Sequence, residues 1–207
     1  KQSPNDGGTR TPIMVSWPKT IKPSERDEMV SSIDLVPTML KAAGADVPGE
    51  LPGIDLLPVI NNEKPLGRDA LFGESFAHDI ADVDNPQASL LYRWVIQGKW
   101  KLLLTYDGKL NRYKVVHSGG DGRPQLFDLE NDPDEFKDVG GDPACSEIIK
   151  TMYDRLFEWA TRNHARTTVS DDDITANRNN TEARGVLIGV YDEHDLPPEF
   201  SKYYTGK

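Results

Sequence analysis

The apolar positions of the chain fall mostly into short runs, separated by clusters of charged residues, glycine and proline. Apolar runs of this length that contain β-branched residues are typical of strands. "TPIMVSWP" therefore predicts a short buried strand, and "ALFGES" predicts a second interior strand. Residues 92–97 and 100–106 flank a glycine and predict a hairpin. "QLFDLENDPDE" predicts a further strand that ends in an acidic turn.

Two other stretches predict helices. Residues 37–43 begin with a proline, which the first turn of a helix tolerates, and Gly44 supplies a left-handed stop. The preceding "MVSSIDL" is interpreted as an extension of a sheet. Around residue 150 the apolar residues recur every three or four positions, which predicts an amphipathic helix packed on the small sheet. These apolar residues are Ile148, Ile149, Met152, Leu156, Phe157 and Trp159.

Helix-breaking and strand-breaking residues divide the chain. The stretch "HDIADVDNPQA" predicts a boundary between two structural units, and the polar sequence beyond residue 164 predicts an extended tail. The expected units are residues 1–77, residues 78–164 and the tail 165–207. The expected fold class is α/β overall. In the second unit it is α+β, with an antiparallel sheet packed by a carboxy-terminal helix.

Charge and cysteine content narrow the function. A formal net charge of −10 argues against nucleic acid or an anionic membrane as a partner, because both require an electropositive face. The single Cys145 cannot form an internal disulfide. No apolar run approaches the roughly 20 residues of a membrane-spanning helix, so no membrane association is expected.

Three signatures, in order, resemble the carboxy-terminal half of a type I sulfatase of the alkaline phosphatase superfamily. "KQSPNDGGTRTPIMVSWP" resembles the family's lysine, short spacer, acidic residue with glycine, and Arg-x-Pro before an apolar run. "SSIDLVPTMLKAAG" is similar to its Asp-Ile/Leu-x-Pro-Thr pattern. "GKWKLLL" followed by "QLFDLENDPDE" is similar to its closing sheet, with Trp-Lys-Leu and then Asp-Pro-x-Glu. The resemblance implies the end of a large mixed-sheet catalytic domain over residues 1–77, then a small carboxy-terminal subdomain.

The resemblance also implies chemistry. Enzymes of this family hydrolyse sulfate esters with a formylglycine nucleophile, made in a Cys/Ser-x-Pro-x-Arg motif, beside a calcium ion. Lys1 falls where the family has a lysine that contacts the sulfate and the leaving oxygen. Cys145 has a glutamate where the motif needs proline. Calcium and formylglycine are therefore expected in the intact enzyme, and this chain alone is expected to bind neither and to be inactive.

Several residues near Lys1 are interpreted as support for the site. Asp6 and Arg10 are expected to order the loop that carries the lysine, with an ordinary surface ion pair as the alternative. Gly7 and Gly8 are expected to supply turn dihedral angles that other residues avoid.

A second group lies at or after the end of the predicted strand "ALFGES". Glu74 and His78 are candidate substrate-binding residues, because pockets in open α/β sheets lie at strand ends. For His78 a solvated loop histidine is the alternative. Asp34, near a predicted helix start, is interpreted as a structural carboxylate that satisfies backbone amides.

The expected function is that of a carboxy-terminal portion of a sulfuric ester hydrolase acting on a sulfated small molecule or glycan. Its other partner is the amino-terminal part of the same protein, and a periplasmic or secreted location is favoured by the resemblance. Two alternatives remain at this point: a phosphonate or phosphate monoester hydrolase of the same superfamily, and a non-catalytic glycan-binding module.

Overall fold

A computed structural model of the chain describes residues 3–61, 63–76, 90–105 and 123–162. In chain order, the described residues form four α-helices and four strands. They are α1 (Asp6–Thr9), α2 (Leu35–Ala42), α3 (Leu57–Ile60), β1 (Ala70–Phe76), β2 (Leu90–Gln97), β3 (Trp100–Thr105), β4 (Gln125–Asp128) and α4 (Ser146–Arg162).

The strands form one four-stranded sheet in the order β1-β2-β3-β4. The pairs β2/β3 and β3/β4 are antiparallel. Gln97 pairs with Trp100, so β2 and β3 are joined by a two-residue turn, and Gly98 in that turn has a φ of 56°. Glycine populates positive φ without a Cβ clash, which suits this kind of hairpin turn. The predicted hairpin and the strands predicted in "ALFGES" and "QLFDLENDPDE" are confirmed, but β1 is an edge strand of the described sheet rather than an interior one.

Helix α4 covers the sheet through an apolar stripe. Met152, Leu156 and Ala160 are buried at i, i+4 and i+8, which is the spacing of one helix face. The rings of Phe72 in β1 and Trp159 in α4 stack with their centroids 5.4 Å apart. The amphipathic helix is confirmed, but Phe157 is 62% exposed and does not belong to the buried stripe.

The chain forms two compact units. One unit is Arg10–Leu71, called here the loop unit; the other, the sheet unit, combines Lys1–Thr9 with Phe72–Lys207. The amino-terminal residues therefore group with the sheet rather than with the sequence that follows them. The predicted domain boundary at residue 77 falls on residues outside the described ranges, as does the tail 165–207, and the three predicted domains stay predictions.

The loop unit is organised around the buried carboxylate of Asp34. The guanidinium of Arg68 donates to both of its oxygens, at 2.6 and 2.7 Å, and the backbone amides of Ser31 and Ile54 donate to it at 2.7 and 2.8 Å. Arg68 also donates to the carbonyl of Met29 at 2.8 Å. Asp34 thus ties three stretches of chain together, as a structural carboxylate would.

Thr38 adds a second link between α2 and the chain before α3. Its hydroxyl donates to the carbonyl of Asp34 at 2.6 Å and accepts from the amide of Leu56 at 2.9 Å. Helix α2 ends as predicted, with Gly44 at a φ of 72°, although it begins at Leu35, two residues before the predicted start.

Two strand predictions in the loop unit are wrong. Residues 11–17 of "TPIMVSWP" form no strand, and Met14 is 89% exposed. A strand needs a neighbour that pairs with its backbone groups, and none of the four described strands pairs with this run. Within "MVSSIDL", Ser32–Asp34 forms a 3₁₀ turn, because Asp34 accepts from the amide of Ser31 and closes a capping box.

The expected fold class is confirmed. The sheet unit has a small sheet with antiparallel pairs, packed by its carboxy-terminal helix, and the whole is a mixed arrangement of helices and strands. Both faces of the sheet are buried: Val95, Leu102 and Leu126 are completely buried, and Leu103, which points to the opposite face from Leu102, packs with Tyr92 and Phe127.

The Asp34 network predicts a pH dependence of stability. Burial by itself would raise the pKa of Asp34, but the hydrogen bonds from Arg68, Ile54 and Ser31 outweigh it and hold the pKa below its usual value. The folded pKa is lower than the unfolded one, so the carboxylate contributes stability above roughly pH 4 and loses it as pH falls through the folded pKa. Asp34→Asn should lower the free energy of unfolding by about 3 kcal/mol at pH 7 and flatten its acid dependence.

Urea unfolding of the protein at pH 7 and at pH 3 measures both effects. Asp154→Asn is the control, because Asp154 forms an exposed i,i+4 pair with Lys150 and its loss should leave stability nearly unchanged. Equal acid dependence of the parent protein and Asp34→Asn would contradict the assignment.

Gly73 in β1 provides a test of how closely this strand packs against the side chain of Trp94 in β2. A Cβ built at Gly73 would overlap the indole ring of Trp94, whereas one at Gly49 would meet no heavy atom within 4 Å. Gly73→Ala should therefore destabilise the protein by about 2 kcal/mol through overpacking. Gly49→Ala should change stability by less than about 0.5 kcal/mol. Thermal unfolding of the two variants compares them, and equal stabilities would show that Trp94 can move aside.

Candidate functional site

A buried ion pair lies beside the amino-terminal segment of the sheet unit. The ammonium of Lys101, in β3, lies 2.6 Å from Oε1 of Glu135, and both side chains are fully buried. Charges are costly to bury, so a buried pair persists only where further hydrogen bonds satisfy it. The partners that supply those bonds are in the amino-terminal segment.

Glu135 and Lys101 together hold three consecutive residues. The carboxylate of Glu135 accepts from the side-chain amide of Asn5 at 2.6 Å and from the backbone amide of Asp6 at 3.1 Å. Lys101 donates to the carbonyl of Pro4 at 2.8 Å. The carboxylate of Asp6 lies 3.9 Å from the Lys101 ammonium. These five residues are called the Lys101–Glu135 anchor below.

The anchored segment has a compact local structure of its own. The carbonyl of Asn5 accepts from the amides of Gly8 and Thr9, at 2.8 and 3.1 Å, which forms the single turn of α1. The amide of Asn5 donates to the hydroxyl of Ser3 at 3.2 Å. These internal hydrogen bonds connect residues 3–9 to one another, so the anchor positions them together.

The expected reason for Gly7 and Gly8 is wrong. Both lie in α1, and neither is among the described glycines with positive φ. The two differ in another way: a Cβ at Gly8 would overlap the carbonyl of Ser3, whereas one at Gly7 would meet nothing within 4 Å. Gly8 is needed for a close approach of backbone to backbone, and Gly7 is not.

Glu135 reaches the anchor from an uncommon backbone conformation. Its φ of 59° is in the left-handed region, which side chains with a Cβ adopt at a cost of roughly 1–2 kcal/mol. Asp132 closes this turn: its carbonyl accepts from the amide of Glu135 at 3.1 Å, and its carboxylate accepts from the amides of Phe136 and Lys137, at 3.1 and 2.7 Å. The turn after β4 therefore holds the Glu135 carboxylate toward the amino-terminal segment.

The electrostatics of the anchor are those of a closed structural site. Burial raises the pKa of Glu135, and the hydrogen bond and charge of Lys101 offset part of that effect. Because neither side chain of the pair is exposed, neither can touch a substrate directly. The chemical consequence of the anchor is the fixed position of the residues it holds.

Of the predicted site residues Asp6, Arg10, Lys1 and His78, the structure describes only Asp6 and Arg10. Asp6 is in the anchor, through its backbone amide and its carboxylate. Arg10 is exposed and belongs to the loop unit. Lys1 and His78 lie outside the described residues. The predicted roles of all four stay predictions.

Glu74 lies within β1 rather than after it, because the strand continues to Phe76. Its carboxylate is 3.1 Å from Nε of Arg93 in β2, and both side chains are largely buried. The carboxylate is therefore paired across the sheet. Its expected role in substrate binding stays a prediction.

Sequence reasoning missed Lys101 and Glu135, although the quoted motifs contain both. Lys101 is the lysine of "WKL" and Glu135 is the last residue of "DPDE". A lysine inside an otherwise apolar strand is the available signal, since a buried ammonium requires a partner. The identity of that partner, 34 residues away, required the tertiary structure.

The described residues offer no set suited to a metal or to formylglycine. No group of three or more histidine, cysteine, aspartate or glutamate side chains among them is arranged to hold a metal ion. Cys145 is buried at the end of a short 3₁₀ helix and is followed by Ser146 and Glu147 rather than by the x-Pro of the motif. No described helix has both the length and the apolar character needed to cross a membrane.

Comparison with known proteins places these features in a family. The family model described as N-sulphoglucosamine sulphohydrolase, C-terminal, matches residues 3–162. Arylsulfatase A of Homo sapiens is 38% identical over 159 residues, which cover 71% of this chain and 30% of that protein. The multifunctional alkaline phosphatase superfamily protein PehA of Trinickia caryophylli is 32% identical over 138 residues, covering 66% and 25%.

A solved structure shows the same fold. It comes from work on the metabolism of multiple glycosaminoglycans by Bacteroides thetaiotaomicron. It matches with a TM-score of 0.50 at 24% identity and covers 66% of this chain and 28% of that one. The chain spans between a quarter and a third of the length of these three proteins.

The family match includes the anchored segment and both members of the buried ion pair. The resemblance to the carboxy-terminal portion of type I sulfatases is confirmed, and the chain belongs to the N-sulphoglucosamine sulphohydrolase C-terminal family.

Proposed function

We propose that this chain is the carboxy-terminal part of a sulfatase that hydrolyses sulfate esters, and that Lys1 contacts the sulfate during the reaction. The observation that carries the proposal is the anchored segment. Pro4, Asn5 and Asp6 are fixed to a buried ion pair only three to five residues after Lys1. A segment that only linked two elements would not need such an attachment.

The proposed role of Lys1 follows from the charge that sulfate ester cleavage develops. Breaking the sulfur–oxygen bond leaves negative charge on the departing oxygen, while the sulfuryl oxygens remain negative. An ammonium group carries three donors and a positive charge, so it stabilises that oxygen or transfers a proton to it. Lys1 is the residue of this chain to which we assign that function.

Calcium and formylglycine are proposed for the complete protein on the basis of the family. Among the described residues no group of three or more histidine, cysteine, aspartate or glutamate side chains is arranged to hold a metal ion, and the sequence after Cys145 lacks the proline of the formylglycine motif. The contribution of this chain is to bind and orient the anion.

Glu74 and His78 are proposed to line the substrate pocket. Glu74 lies on β1, and His78 follows β1 in the sequence. The guanidinium of Arg93 compensates the charge of Glu74, so the pair is compatible with an anionic group nearby. The substrate is proposed to be a sulfated sugar or another small sulfate ester, since the matching family description names a sulphoglucosamine sulphohydrolase. A periplasmic or secreted location is proposed with it.

A second candidate function is hydrolysis of phosphonate or phosphate monoesters. It is favoured by the similarity to PehA, a multifunctional protein of the alkaline phosphatase superfamily. Both reactions place negative charge on oxygens around a central phosphorus or sulfur atom. The same lysine would therefore serve either reaction, so assays with the two kinds of substrate are needed to distinguish them.

The complete protein that carries this sequence should hydrolyse p-nitrophenyl sulfate. Lys1→Ala should lower its kcat/KM by about 100-fold, the effect typical of losing one donor to a developing oxyanion. Lys22→Ala is the control, because Lys22 is an exposed residue of the loop unit. Release of p-nitrophenol measures both activities.

Parallel assays with p-nitrophenyl phenylphosphonate separate the two candidates. Hydrolysis of the phosphonate without hydrolysis of the sulfate would reject sulfatase activity in favour of the second candidate. Unchanged sulfate hydrolysis in Lys1→Ala would reject the role assigned to Lys1.

A further inference from the structure

We infer that Lys101 and Glu135 are positioning residues for the active-site lysine: they fix residues 4–6 so that Lys1 is delivered to the anion at the required distance. This inference rests on the proposed function of Lys1. The pair is fully buried, so it acts on the reaction only through the segment it holds.

The covalent reach of the chain makes the anchor relevant to Lys1. Three residues of extended chain span at most about 10 Å, so the fixed position of Pro4 sets an upper limit on the distance between Lys1 and the anchor. Each further bond to the segment restricts its orientation as well. A misplacement of about 1 Å at a reacting group lowers a rate by about 100-fold, which is large enough to require such restriction.

The composition of the anchor is better suited to positioning residues 4–6 than to stabilising the fold. A buried ion pair is often replaced by apolar side chains with little loss of stability, because its desolvation cost offsets much of its attraction. Directional bonds are what apolar groups cannot supply. Here the carboxylate accepts from Lys101, Asn5 and Asp6 at once, and Lys101 donates in addition to Pro4.

Two structural costs support the same interpretation. Glu135 is in the left-handed region, where glycine or asparagine would be less strained, yet neither could offer a carboxylate at that distance. Gly8 allows the backbone of α1 to approach the carbonyl of Ser3. Both features serve the placement of the segment rather than the packing of the core.

The test uses the complete protein and separates placement from folding. The double variant Lys101→Met with Glu135→Leu removes the directional bonds while it keeps the site filled and uncharged. Lys99→Met is the matched control: Lys99 is two residues away and pairs with Asp128 at 2.6 Å, but that pair is partly exposed. Urea unfolding, hydrogen exchange of the Gly8 and Thr9 amides, and kcat and KM on p-nitrophenyl sulfate are measured for each.

The double variant should remain folded, exchange the two amides faster, and lose about 100-fold in kcat with little change in KM. The loss should not add to that of Lys1→Ala when the changes are combined, because both act through the same ammonium. The Lys99→Met control should match the parent protein in all three measurements.

Milder variants keep the test decisive if the double variant does not fold. Asn5→Ala removes one bond to Glu135, and Gly8→Ala displaces the segment, with Gly7→Ala as its control. Asn5→Ala and Gly8→Ala should lower kcat, and Gly7→Ala should not.

Three results would overturn the inference. They are an unchanged kcat despite faster exchange, a loss of kcat that adds fully to that of Lys1→Ala, and equal effects of Gly7→Ala and Gly8→Ala. If Lys1→Ala lowers kcat and the anchor variants do not, only the positioning role fails. If Lys1→Ala has no effect, the proposed role of Lys1 fails as well.

Discussion

The buried pair of Lys101 and Glu135 is the interaction on which the organisation of the sheet unit depends. It connects a central strand, the turn after β4 and the amino-terminal segment, which are far apart in the sequence. Burying two charges is unfavourable unless every donor and acceptor is used. The segment supplies the missing partners, so the pair and the segment stabilise each other.

The loop unit repeats this principle with other residues. Asp34 is buried against the guanidinium of Arg68 and two backbone amides, and it ties together chain segments that form little regular structure. In both units the residues most typical of the family motifs are buried charges and their partners. The motifs therefore identify the fold, and their link to chemistry is indirect, through the residues they hold in position.

Under the proposed function, the chain has a supporting part in catalysis. In the proposed function a lysine contacts the sulfate, and a cation on a long side chain contributes little unless its backbone is fixed. The anchor holds residues 4–6, which follow that lysine by three to five positions, to a central strand of the sheet. Glu74 and Arg93 add a compensated pair of charges on two adjacent strands of the same sheet.

The sequence by itself determined the elements whose signal is local. Two apolar runs on either side of a glycine predicted the β2/β3 hairpin, and apolar spacing predicted α4, because these patterns depend on neighbours a few residues apart. Tertiary structure decided the rest. "TPIMVSWP" has the composition of a buried strand but no described strand pairs with it, and Gly8 is required by an approach to Ser3 that composition does not reveal. Lys101, Glu135 and Asn5 meet across 34 and 130 residues of chain, and only folding brings such charges and amides into contact.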